Sequence, residues 1–130
     1  MKRIATVILL WATCVIAGSS ASWVHVAGGA WDPDDSVLKD LSGGIENYVV
    51  AGAARQDAKL SAWDKYRFQY QGWLKGKKRI VFVNAFCRSG GDERLESELL
   101  FVFDGGPCFF TLEYDAETGE FHSLRFNGYG

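Results

Sequence analysis

Cys87 and Cys108 are the residues of this 130-residue chain best suited to covalent chemistry. A third cysteine, Cys14, lies in an apolar run near the start, and the only imidazoles are His25 and His122. A thiol can act as a nucleophile beside a base, or two thiols can join in an oxidising compartment. The first option needs a histidine that the pattern places near a cysteine. His25 falls in an irregular arm, and His122 alternates with Phe121 as an ordinary strand residue would, so no catalytic pair is assigned. No Gly-x-Ser-x-Gly elbow marks a serine nucleophile, and neither Gly90-Gly91 nor Gly105-Gly106 opens a phosphate loop. No Cys-x-x-Cys pair or helical His spacing offers a zinc site. Asp32, Asp34 and Asp35 carry oxygen ligands but lack the twelve-residue calcium loop, and a helix cap explains them. No metal or other cofactor is implied.

The compartment decides between free and paired thiols. Lys2 and Arg3, an apolar run from Ile4 to Ala17 and the small residues Gly18-Ser19-Ser20-Ala21 have the form of a secretory signal peptide cut after Ala21. Its apolar run is too short for a stable membrane span. A lipid-modified Cys14 is the rival, but Trp11 stands where such signals carry a leucine. Residues 22–130 are then an exported, periplasmic or secreted domain, in which a Cys87–Cys108 disulfide is expected. Two arrangements remain open. If the intervening chain folds out and returns, the cysteines face each other at the ends of neighbouring strands. A simple hairpin centred near Asp92 would instead set Cys87 opposite Glu98.

Removing Lys2 and Arg3 leaves twelve basic against sixteen acidic residues, a mildly acidic domain. Its one dense basic cluster, Lys75, Lys77, Lys78 and Arg79, surrounds Gly76 and reads as a solvated turn. A nucleic-acid partner is therefore not expected. About 109 residues suffice for one domain that buries roughly 65% of its unfolded surface.

The elements that position these side chains change period along the chain. Residues 22–35 read as an arm that ends in a helix cap at Asp34, Asp35 or Ser36. Val37, Leu38, Leu41, Ile45, Tyr48, Val49 and Gly52 then follow helical spacing. Gly43-Gly44 interrupts them, so the reading is one weakened or kinked helix or two shorter ones. Ala51, Gly52, Ala53 and Ala54 are small enough for a helix lying close to a sheet. From Tyr66 the period is two: Tyr66, Phe68 and Tyr70 alternate with Arg67, Gln69 and Gln71, giving one dry and one wet face. Residues 79–87 are apolar on both faces, as in a central strand. Residues 88–98 read as a loop and 99–103 as a further extended run. Asp104-Gly105-Gly106-Pro107 is a bend, Cys108 to Tyr114 a strand, residues 115–119 a turn, and Phe121, Leu124 and Phe126 mark the last strand.

A helix followed by four or five hairpin-linked strands implies an α+β domain, with an N-terminal helix packed on a curved antiparallel sheet. By element order this is similar to cystatin-like and NTF2-like architectures. A cystatin inhibitor's Gln-x-Val-x-Gly hairpin is not matched by Gln69-Tyr70-Gln71-Gly72-Trp73. Phe68-Gln69-Tyr70-Gln71-Gly72, Asn84-Ala85-Phe86-Cys87, Asp104-Gly105-Gly106-Pro107-Cys108-Phe109-Phe110 and Phe126-Asn127-Gly128 together resemble a group of small exported bacterial proteins of unknown function. The resemblance spans roughly residues 63–128 and implies export and a shared fold, without an activity.

Alternation puts Arg67, Gln69, Gln71 and Trp73 on the polar face of one strand, where they form a candidate recognition surface. The resulting expectation is a non-catalytic binding domain of the cell envelope, its partner an envelope protein or a small ligand. The alternatives are a small pocket enzyme with Glu113 or His122 as base, and a purely structural envelope protein.

Overall fold

In the computed structural model, residues 23–89, 91 and 94–128 are described. The leader read at residues 1–21, with Cys14, and the hairpin tip read near Asp92 lie outside them. The chain forms β1 (Trp23–His25), α1 (Asp35–Arg55), β2 (Arg67–Lys75), β3 (Lys78–Phe86), β4 (Phe109–Asp115) and β5 (Phe121–Phe126). The five strands make one sheet in the order β1-β2-β3-β4-β5, open at both edges and only weakly curled. The helix-on-sheet α+β class expected from the sequence is the observed one.

Two strands differ from expectation. The arm begins with a strand, β1, which pairs with β2 in parallel, Trp23 opposite Phe68 and His25 opposite Tyr70. The sheet is therefore mixed rather than wholly antiparallel, because α1 carries the chain back across the sheet before β2 begins. A three-residue strand is too short to show a period, which hid it in the sequence. Conversely, the extended run 99–103 joins no strand. Its apolar residues are spent elsewhere: Leu100 packs on a small second core while Phe101 and Phe103 stand in solvent.

Helix α1 starts where Asp34 accepts hydrogen bonds from the Val37 amide at 3.0 Å and the Ser36 hydroxyl at 2.7 Å. These bonds, the Ser36 hydroxyl first, hold the Asp34 carboxyl below its usual pKa. The helix runs unbroken through Gly43-Gly44 to Arg55. Burial of Leu41, Ile45, Val49 and Ala53 along one stripe against the sheet outweighs the local glycine cost. Gly52 sits where a Cβ would come within 2.3 Å of Leu124 Cδ2, so a larger residue there would require the Leu124 side chain to shift.

The stripe meets Tyr66, Phe68, Tyr70, Val81, Val83, Ala85, Phe110, Leu112 and Tyr114, which form the main core. Tyr66 donates to Pro107 O at 2.6 Å and accepts from the Ser61 amide, so even its buried hydroxyl is satisfied. Strand β3 is buried on both faces, as its sequence implied. Its second face belongs to the side of the sheet turned away from α1.

Candidate functional site

The sheet face turned away from α1 is built in rows across the strands. Arg67, Phe86 and Phe109 form one row; Gln69, Asn84, Thr111 and Arg125 the next; Gln71, Phe82, Glu113 and His122 a third; Trp73, Ile80 and Asp115 the last. Thus Arg67, Gln69, Gln71 and Trp73 share one face, as alternation required. They do not share one environment.

The Phe86–Phe109 pair of the first row and the Gln69–Asn84 end of the second are sealed, whereas Thr111 and Arg125 at the other end of the second row line a cavity. Cys87 and Cys108 are the positions just beyond the Phe86–Phe109 pair, and they form a disulfide with Cα atoms 5.0 Å apart. The Cys87 amide also donates to Cys108 O at 2.9 Å. Of the two arrangements the sequence left open, the chain folds out and returns. Part of that excursion lies over the face: Leu95 joins Phe86, Phe109 and Cys108 in a second core, flanked by Val24, Cys87 and Leu100.

Gln69 is the pillar of this seal. It is 0% exposed, its Nε2 donates to Leu95 O at 2.9 Å and Glu98 O at 2.6 Å, and its Oε1 accepts from Asn84 Nδ2 at 3.0 Å and the Leu100 amide at 2.8 Å. Asn84 donates as well to Leu100 O at 2.6 Å, and the Ala27 amide donates to Glu96 O at 2.8 Å. All four polar positions of the Gln69 amide are occupied. Gln69 is therefore a structural residue, and its place in a surface recognition set is corrected. Arg67 also lies at the sealed end, with its guanidinium 5.9 Å from the Phe86 ring.

In the other two rows Phe82, Ile80 and Asp115 are buried, while Gln71, Trp73 and Glu113 keep partial access to solvent. Trp73 stacks on Phe82 with ring centroids 4.0 Å apart and planes 2° from parallel. The indole is oriented by a relay: Trp73 Nε1 donates to Gln71 Oε1 at 2.8 Å, and Gln71 Nε2 donates to Ala27 O at 2.8 Å. Trp31 braces the strands beneath, donating to Trp73 O at 3.0 Å and Ile80 O at 3.2 Å. Beside the aromatic pair lies a cavity of about 220 Å³ lined by Lys75, Phe82, Thr111, Leu112, Glu113, Ser123 and Arg125. The wall formed by β5 is irregular, with a register shift opposite Thr111–Glu113 and Ser123 at φ +59°. A bulge of this kind re-aims the flanking side chains.

Charge at the cavity is uneven. Lys75 Nζ meets Glu113 Oε1 at 2.6 Å, where Glu113 is largely shielded from water. Arg125 has no carboxylate within salt-bridge range among the described residues, so the cavity carries a net positive charge. Lys75 and Arg125 are the residues that sequence reading missed. Lys75 looked like part of a solvated turn, and nothing in the pattern of β5 announced the bulge beside Arg125.

Of the remaining candidates, His25 lies on the helix side of the sheet opposite Tyr70, and His122 stands opposite Glu113. His25 stacks on Tyr70 at 4.9 Å with Nε2 3.6 Å from Asp32, and His122 Nε2 lies 3.4 Å from Glu120. With both cysteines in the disulfide, neither histidine has a described thiol to activate. Glu113 is engaged by Lys75, and the cavity is below the roughly 300–1,000 Å³ of pockets that enclose a small-molecule ligand. Such a space suits one side-chain-sized group held at a surface. No helix among the described residues is long and apolar enough to cross a membrane.

No protein-family model, curated protein or solved structure matches the chain.

Proposed function

We propose that this chain is an exported, non-catalytic binding domain of the cell envelope, and that the open half of its sheet face takes a side-chain-sized anionic group attached to a flat apolar body. The observation that carries this reading is the guanidinium of Arg125, without a salt-bridge partner among the described residues, beside the Phe82–Trp73 stack. Arg125 supplies a charge-assisted hydrogen-bond donor, and the cavity wall an apolar contact. The Lys75–Glu113 pair sets the far wall and prevents Glu113 from repelling the ligand's charge. Export is supported by the leader pattern and by the disulfide, which suits an oxidising space.

The test is calorimetric titration with N-acetylphenylalanine and, separately, with its neutral amide. The acid is expected to bind about tenfold more tightly than the amide, a difference of about 1.4 kcal/mol. Arg125→Gln is expected to abolish that preference. Equal affinity for acid and amide, or no binding of either, refutes the reading.

A further inference from the structure

A second surface has no role in the sheet face. Phe101 is 62% exposed, Val102 37% and Phe103 94%, so three consecutive apolar residues crown the excursion between the cysteines. Exposed apolar clusters on a folded surface commonly mark a contact with another molecule. This crown is also held in place. Asn127 Nδ2 donates one N–H to Val102 O and the other to Asp104 O, the latter at 3.1 Å. The two carbonyls on either side of Phe103 are thus tied from beneath by a single amide, while the Phe103 side chain points away from the protein.

The roots of the loop are equally fixed. Leu100 is bonded through both its amide and its carbonyl to Gln69 and Asn84, and the Gly106 amide donates to Gly128 O at 3.1 Å. Gly105 and Gly106, at φ +103° and +63°, turn the chain sharply back to the disulfide. Packing gains nothing from holding a phenylalanine in water. Recognition does, because a preorganised loop loses little entropy on binding.

The geometry points to a serine endopeptidase as the partner, with Phe103 entering an apolar primary-specificity pocket and Phe101–Asp104 occupying the cleft as a substrate would. Proteases read an extended backbone plus one side chain, and protease–inhibitor pairs rely on loops that scarcely move on binding. Charge argues against a lipid surface. The segment 88–104 holds five acids against two arginines, which anionic membranes repel.

The same ties explain how such a loop resists turnover. When the protease serine oxygen bonds to the Phe103 carbonyl carbon, the bond to the Asp104 nitrogen breaks and the serine proton passes to that nitrogen. The new amine stays in place, because Asn127 holds Asp104 O and the Cys87–Cys108 bond joins the two segments. Reversal then outcompetes entry of water.

The experiment measures inhibition of chymotrypsin by the disulfide-bonded protein with a chromogenic peptide substrate. Competitive inhibition is expected, weakened about 30-fold or more by Phe103→Ala, as for a central hot spot. Phe103→Lys is expected to move the inhibition to trypsin. Asn127→Ala is expected to convert a slow inhibitor into a rapidly cut substrate, while Trp73→Ala leaves inhibition unchanged and so separates this loop from the sheet face. Unaltered circular dichroism of the Phe103 variants keeps these comparisons valid. Cleavage of the native loop without inhibition, inhibition indifferent to Phe103, or Phe103-dependent binding to anionic vesicles without inhibition would each overturn the assignment.

Discussion

Gln69 and Gln71 lie two residues apart on the same strand and face, yet one is a buried pillar and the other a surface strut. Gln69 spends every polar atom on the backbone of the covering loop, whereas Gln71 links the Trp73 indole to Ala27 at the border of the open half. The division follows from what each half packs against. At the sealed end a disulfide and a polar pair hold chain over the sheet; at the open end no described residue covers the Phe82–Trp73 stack in that way. One sheet face thus serves stability at one end and, in the proposed reading, contact at the other.

The contrast is broken most severely by Gln69→Leu. It strands the Leu95 and Glu98 carbonyls, the Leu100 amide and the Asn84 amide in a buried setting, at about 1 kcal/mol or more each, so a loss of about 4 kcal/mol is expected by urea denaturation. Gln71→Leu in the same assay is expected to cost about 1 kcal/mol. Near-equal losses would erase the distinction between the halves. Replacing both Cys87 and Cys108 by serine comes next, at about 3 kcal/mol for a loop of this length. Faster hydrogen exchange is then expected at Leu95–Leu100 and not at Phe82 or Glu113.

A smaller effect sits at the β4–β5 turn, on the open side. The Asp115 carboxylate accepts from the Glu117 amide at 2.9 Å and the Thr118 amide at 3.1 Å, which lowers its pKa. A carboxyl depressed on folding stabilises the protein above its unfolded pKa, near 3.8, and loses that contribution as pH falls through the folded value. The melting temperature is therefore expected to fall below about pH 4, less steeply in Asp115→Ala, as a calorimetric pH series would record. The smallest stability effect belongs to Arg125→Gln, within about 0.5 kcal/mol, although it removes the proposed anion contact.

Much of this fold was legible because its signals are local. The Asp34 cap, the Leu41–Ile45–Val49 stripe, the two-sided burial of β3 and the 115–119 turn each follow from adjacent residues. The face shared by Arg67, Gln69, Gln71 and Trp73 followed from alternation alone. What alternation does not carry is cover. Whether a polar residue on a strand meets water or a returning loop depends on a segment twenty-six to thirty-one residues away, and that fate separated Gln69 from its neighbours. β1 escaped notice because three residues define no period. The run 99–103 read as a strand because exposed and paired apolar residues look alike before a partner strand is assigned. The cavity depended on the bulge at Ser123, a backbone event with no side-chain signature.

The central claim is that one half of this sheet face is sealed for stability while the other receives a ligand. Titrating N-acetylphenylalanine into isotopically labelled protein and following every backbone amide by NMR tests it most directly. Shifts confined to Phe82, Thr111, Glu113, Ser123 and Arg125, with Gln69, Asn84 and Phe86 unmoved, are the expected result. Shifts centred on Gln69, Asn84 and Phe86, or none on either half, would contradict it.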